Sequence, residues 1–160
     1  MKTFILTFLL SLSLLSAELL PKEKAILDVI AWAEGTKDYY NVTFMHHTFD
    51  SFDDHPRKIH CNYKRTLCSS ASGRYQFLSK TWDFIQGQLD LKDFSPESQD
   101  LAALFLITLN NVNPNEINTY ESFSLAILRL NRVWASLPGS PYGQPKRTMN
   151  DLWKIWKEAL

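Results

Sequence analysis

The chain has 160 residues, 17 Lys+Arg against 17 Asp+Glu, and 45% hydrophobic and 13% aromatic residues. A neutral chain has no basic excess to drive binding to nucleic acid phosphates. This much apolar content also excludes a disordered chain.

Charge and hydropathy divide the chain in two. Residues 1–17 hold one charge, Lys2, followed by an almost unbroken apolar run to Ala17. A basic start, a short apolar core and a small residue before Glu18 make an export signal. The run is short of the roughly 20 apolar residues of a spanning helix. Leu15, three residues before the junction, weakens the cleavage site, so an uncleaved anchor is the alternative. Either way the rest of the chain works outside the cytoplasm, in the periplasm or envelope or as a secreted protein. The remaining 143 residues carry 16 basic and 17 acidic groups, a length that suits one domain with a sizeable core, residues 18–160.

Ala25, Ile26, Val29, Ile30 and Ala33 recur at helical spacing, which predicts a helix over 22–34 closed by Gly35. Residues 36–72 are polar, aromatic and rich in turns. Strand candidates lie near 42–45, 57–62 and 65–69. Cys61 and Cys68 are the only cysteines, and an exported chain favours pairing them across a hairpin. The alternatives are free thiols, or a metal site with His46, His47, His55 and His60, whose spacing fits no zinc template. A short bridge of this kind stiffens a loop more than it holds a domain together.

From Ser79 onward the pattern is helical. Trp82, Ile85 and Leu89 form a stripe over 79–89. Ser95-Pro96-Glu97 is a helix start with a Ser cap, Pro at the first position and an acid in the first turn. Asn113-Pro114 opens a short helix, residues 121–135 form another, and a final amphipathic helix covers about 147–159. Pro138 to Gly143 is a turn-rich loop. The fold class is α+β, mainly helical, with a small antiparallel β region inserted early.

Three elements have chemical potential. Glu34 ends the first helix, at the negative end of its dipole, after apolar Trp32 and Ala33. Both features raise a carboxyl pKa, and a carboxyl still protonated near neutral pH is a general acid. The alternative is an exposed helix-end Glu. Ser72-Gly73-Arg74-Tyr75-Gln76-Phe77 offers an amide for hydrogen bonds to an acetamido group and a Tyr to stack on a sugar face, or a plain structural turn. Trp134 to Gly139, with Tyr142-Gly143-Gln144, is an aromatic, glycine-rich loop that either lines a cleft or only connects helices.

In combination these stretches resemble the lambda-type phage endolysins, lytic transglycosylases with a lysozyme fold. The resemblance rests on Ala31-Trp32-Ala33-Glu34-Gly35-Thr36, Asp54-His55-Pro56-Arg57-Lys58, Ser72 to Ser79 with Trp82-Asp83, Leu91 to Asp100, and Trp134 to Gly139 with Tyr142-Gly143-Gln144. They follow the family's order and span nearly the whole mature domain. The resemblance implies a lysozyme-like fold with a small β lobe, and Glu34 as the single catalytic carboxyl. Ser72, Arg74, Tyr75, Gln76, Tyr142 and Gln144 fall in stretches that line the glycan cleft, with 50–68 as one lip and 136–144 as the other. Asp54 to Lys58 is mainly structural. The implied substrate is peptidoglycan, the implied state a monomer, and neither metal nor organic cofactor is required. The family's phage members lack a secretory signal and depend on a holin for release. Here the apolar head replaces that route.

Overall fold

The computed structural model describes residues 18–143 and 145–160. The apolar head, 1–17, and Gln144 lie outside the described residues. Helix α1 (Pro21–Glu34) has Pro at its first position, and Glu23 reaches back to accept from the Leu20 backbone N–H at 3.0 Å. Gly35 closes it with φ 78°, a left-handed cap that glycine adopts without steric cost. Ala25, Ile26, Leu27, Val29, Ile30, Ala31 and Ala33 are all buried. An apolar surface this broad requires packing on several sides: α1 meets the C-terminal helix, the helix over Pro96–Leu109 and the turn near Pro114.

The polar stretch after α1 forms a small β lobe. Two short antiparallel strands, β1 (His60–Cys61) and β2 (Cys68–Ser69), pair Cys61 with Cys68, and the two sulfurs are disulfide-bonded. Single bridges join Val42 to Thr48, Thr43 to Ser72 and Ser72 to Phe77. The expected strands near 42–45, 57–62 and 65–69 thus shrink to these pairs. Residues 44–46 form a 3₁₀ turn instead, with left-handed backbone at Met45 and His46.

The remaining elements are α2 (Ser79–Leu89), α3 (Pro96–Leu109), a 3₁₀ turn at Pro114–Glu116, α4 (Tyr120–Leu130) and α5 (Met149–Ala159). The Ser95 hydroxyl accepts from the Ser98 backbone N–H at the start of α3, as its Ser-Pro-Glu signal predicts. Helix α4 stops at Leu130 and not at 135, and residues 131–135 are turns around an irregular Trp134. The physical reason is tertiary. Trp134 is drawn out of helical register to bury its ring and donate its indole N–H to the Tyr75 carbonyl, 3.0 Å away. Among the described residues no helix is long and apolar enough to cross a membrane.

The β lobe joins the helices through buried aromatics and one glutamine. Phe49, Phe77, Trp82 and Phe94 pack together, with Trp82 and Phe94 edge-to-face at 4.5 Å. His55 is part of this cluster. Its Nε2 donates to the Phe77 carbonyl at 2.9 Å, and its Nδ1 accepts from the Arg57 backbone N–H at 3.0 Å. That pairing fixes a neutral ring, and burial lowers its pKa. Arg57 bridges Asp54 and Asp83, so this stretch is a structural brace.

Gln99, fully buried, accepts from the Arg74 backbone N–H at 2.8 Å and donates to the carbonyls of Phe94 and Tyr40. Gly73 lies directly beneath it with φ 82°. A Cβ there would meet the Gln99 amide and come within 2.8 Å of Phe94 Cζ. Gly73→Ala therefore combines left-handed strain with overpacking, and is expected to cost roughly 2–4 kcal/mol in urea unfolding.

Candidate active site

Glu34 is the last residue of α1, and residues distant in the chain meet around it. Helix α1 presents it, Gly35 turns the backbone away, and Ser136 and Arg147 approach from the C-terminal lip. The backbone N–H of Arg147 donates to the Ser136 carbonyl at 3.0 Å. The Arg147 side chain crosses back to α1, where Nε donates to the Ala33 carbonyl at 3.3 Å and the guanidinium lies 4.8 Å from the centre of the Trp32 ring. One residue thus satisfies a helix-end carbonyl and fastens the C-terminal lip beside the carboxyl.

The carboxyl has an unusual environment. Glu34 Oε1 is buried and has no hydrogen-bond partner among the described residues. Burial raises its pKa from 4.5 to about 7, opposed by Ser136's hydroxyl and backbone N–H and by the charge of Arg147. Burial wins because two polar neighbours do not replace full hydration of an anion. The group is therefore substantially protonated at neutral pH and can give up that proton readily, as a general acid requires.

The structure divides the other sequence-derived candidates. Tyr75 is completely buried, against Phe77 and Tyr40, and its hydroxyl donates to Asp100 at 2.6 Å. It has no free face on which a sugar could stack. Ser72 and Arg74 are also buried. The Arg74 guanidinium donates to Asp28 at 2.6 Å, to the Tyr75 hydroxyl at 2.8 Å and to the Lys37 carbonyl at 2.8 Å. These three residues are buried and engaged with partners inside the protein, not exposed as the direct contacts expected of them. Their burial follows from the close approach of 72–77 to α3, which Gly73 permits.

Gln76 is only half-buried and has φ 52°; its amide donates to the Gly73 carbonyl at 2.9 Å, leaving the amide oxygen available. Tyr142 is 49% exposed, and its hydroxyl donates to the Arg132 carbonyl at 3.1 Å, which holds the ring on the C-terminal lip. Among the described residues no group of three or more metal-type ligands converges, and His47 and His60 stack on each other at 4.4 Å.

Sequence reading missed Arg147, Asp28 and Asp100 as contributors. Arg147 lies 114 positions from the carbonyl it meets, so no local pattern links the two. Asp28 was open to detection as the one acid within the apolar run of α1.

A helical domain with a small β lobe and a carboxyl at the end of its first helix whose burial raises its pKa toward neutrality defines a lysozyme-like enzyme. The Endolysin family model matches residues 24–160. The endolysin of Escherichia phage lambda is 40% identical over 146 residues, covering 86% of this chain and 90% of that protein, and the endolysin of Escherichia phage P2 is 35% identical over 155 residues, covering 84% and 90%. The fold is similar to bacteriophage lambda lysozyme complexed with a chitohexasaccharide, with a TM-score of 0.81, 39% identity and coverage of 89% of this chain and 96% of that one. A second structure of lysozyme from bacteriophage lambda gives a TM-score of 0.77 at 37% identity. The chain belongs to the endolysin family, and it is a peptidoglycan-cleaving enzyme of the lysozyme-like class.

The raised pKa of Glu34 makes stability depend on pH in a definite direction. The folded state holds this proton up to about pH 7, while the unfolded chain releases it near 4.5. The contribution is fully present below pH 4.5 and is lost as pH rises through 7. Across that window wild type is expected to lose stability relative to Glu34→Gln, on the order of 3 kcal/mol. Urea unfolding of both proteins at pH 4.5, 6 and 8 checks this: parallel curves would show that Glu34 titrates normally.

Proposed function

We propose that this chain is an exported lytic transglycosylase that cleaves the β-1,4 bond between MurNAc and GlcNAc. The protonated Glu34 carboxyl donates to the bridging oxygen, and the C1–O4 bond breaks with oxocarbenium-like charge at C1. The C6 hydroxyl of the same MurNAc then bonds to C1 and gives its proton to the Glu34 carboxylate. The products are a free GlcNAc 4-hydroxyl and a 1,6-anhydro-MurNAc end, with Glu34 returned to its acid form. No water is consumed, and an internal nucleophile brings the rate advantage of proximity.

The observation that carries this reading is the solitary state of the carboxyl. A hydrolytic glycosidase pairs its acid with a second carboxylate as base or nucleophile, and such a neighbour would raise Glu34 further by repulsion. The charge felt at Glu34 among the described residues is that of Arg147. Arg147 also supports the second half of the cycle, because it favours the carboxylate that accepts the C6 proton.

Glycan contacts are assigned to Gln76 through its free amide oxygen, to the exposed ring of Tyr142 and to Gln144. A related lysozyme structure holds a chitohexasaccharide, and an extended glycan in this cleft is consistent with it. Residues 1–17 act as the export signal or, if uncleaved, as an anchor, and 18–160 form the catalytic domain, working as a monomer on the wall.

Mass spectrometry of digested sacculi tests the reaction. Anhydro-ended fragments are expected, and Glu34→Gln is expected to lower the rate by about 10²–10⁴-fold without loss of fold. Fragments that have all gained one water, with no anhydro ends, would identify a hydrolase.

A further inference from the structure

The chain is neutral as a whole, but its charge is unevenly spread. Between Asp54 and Asp83 there is no acidic residue, while Arg57, Lys58, Lys64, Arg65, Arg74 and Lys80 all fall there. Arg57 is taken up by Asp54 and Asp83, and Arg74 by Asp28. Lys58, Lys64 and Arg65 are exposed, and none forms a salt bridge among the described residues. All three belong to the β1–β2 hairpin or its approach. Between them stand Tyr63, 99% exposed, and Ile59, 71% exposed.

This hairpin is held in shape. The Cys61–Cys68 bond closes its base. The Asn62 backbone N–H donates to the Leu67 carbonyl at 2.9 Å, and the Asn62 side-chain oxygen accepts from the backbone N–H groups of Thr66 and Leu67 at 2.9 and 3.3 Å. A stiff turn that keeps an aromatic ring and cations in solvent loses little conformational entropy when it binds. Its base is also connected to the catalytic end of α1. His60 stacks on His47, and His46 Cε1 stands 3.8 Å from where a Cβ on Gly35 would be. The base of the hairpin is thus linked through residues 46–47 to the end of α1 that carries Glu34.

We infer that the 58–67 hairpin binds the carboxylates of the peptide stems carried by MurNAc, through Lys58, Lys64 and Arg65. The sugar backbone of peptidoglycan offers neutral hydroxyls and acetamides. Its negative charge is in the stems, whose acidic residues and C-termini carry free carboxylates. A cationic tip beside a glycan cleft therefore complements the one charged part of the substrate, and Tyr63 packs against the apolar portion of a stem. The inference rests on the peptidoglycan reading of the site and adds stem recognition to it.

The test uses the full chain with Lys58→Gln, Lys64→Gln and Arg65→Gln combined. Two substrates are compared: peptidoglycan with its stem carboxylates free, and the same peptidoglycan with those carboxylates blocked as methylamides. The ratio of kcat/KM on free-carboxylate to blocked substrate is expected to fall roughly threefold to tenfold in the triple variant at low salt, as the loss of a few exposed ion pairs implies. The difference should fade at high ionic strength. An unchanged ratio overturns the inference. Co-sedimentation of Glu34→Gln protein with sacculi whose stem carboxylates are free or blocked as methylamides reads the same preference without chemistry, so it stands or falls apart from the reaction. The expected result is a preference for free-carboxylate sacculi that the three additional substitutions remove. Equal binding to both sacculi overturns stem recognition, as does binding through these cations only to vesicles of anionic phosphatidylglycerol.

Discussion

The site depends on the burial of one helix. Seven residues of α1, nearly every one from Ala25 to Ala33, are removed from water, so its axis and the position of its last residue are fixed by packing on several sides. Glu34 inherits that constraint. A carboxyl on a surface helix would rotate into solvent and ionise in the ordinary range. At the end of an enclosed helix it is held where hydration is incomplete, and the cost of ionising it there provides the proton. Core packing and the raised pKa of Glu34 are in this sense one effect: the apolar face that stabilises α1 also places its terminal carboxyl where hydration is poor.

The two lips are tied to this helix by different means. The C-terminal lip depends on Arg147, which reaches the Ala33 carbonyl and the Trp32 ring, and on Trp134, which donates to the Tyr75 carbonyl. The β lobe depends on Gly73, Gln99 and the ion pair of Arg74 with Asp28. Arg74 is buried and paired, an arrangement whose loss of one partner is costly even where the pair itself adds little net stability. The Arg74, Tyr75 and Asp100 contacts therefore hold α1, the lobe and α3 in register.

Much of this was legible in the sequence. The apolar period of α1 and its closing Gly35 located Glu34 at a helix end, and the Ser-Pro-Glu start of α3 was read correctly to the residue. The small β lobe was visible as polar, turn-rich chain, but its strands were overlong in the reading because alternation does not reveal how few residues will pair. Val133 and Trp134 continue the apolar pattern of α4, which predicts a helix to 135. Trp134 leaves the helix for a partner 59 positions away, which local propensity does not encode. An aromatic next to an amide suits a sugar site, which points Tyr75 to the substrate. Its burial depends on Tyr40 and Asp100, residues distant in sequence. Arg147 escaped notice for the same reason: what makes it important is a contact with the far end of the chain.

The central claim is that Glu34 is a buried acid that keeps its proton to near neutrality and acts without a second carboxylate. Its most direct test is a carbon-13 NMR titration of the Glu34 side-chain carboxyl in the substrate-free protein, assigned by its absence in Glu34→Gln. A midpoint near 7 with a single-proton profile is the expected result. A midpoint close to that of an exposed glutamate, or a two-step curve showing a strongly coupled carboxylate partner, would contradict it.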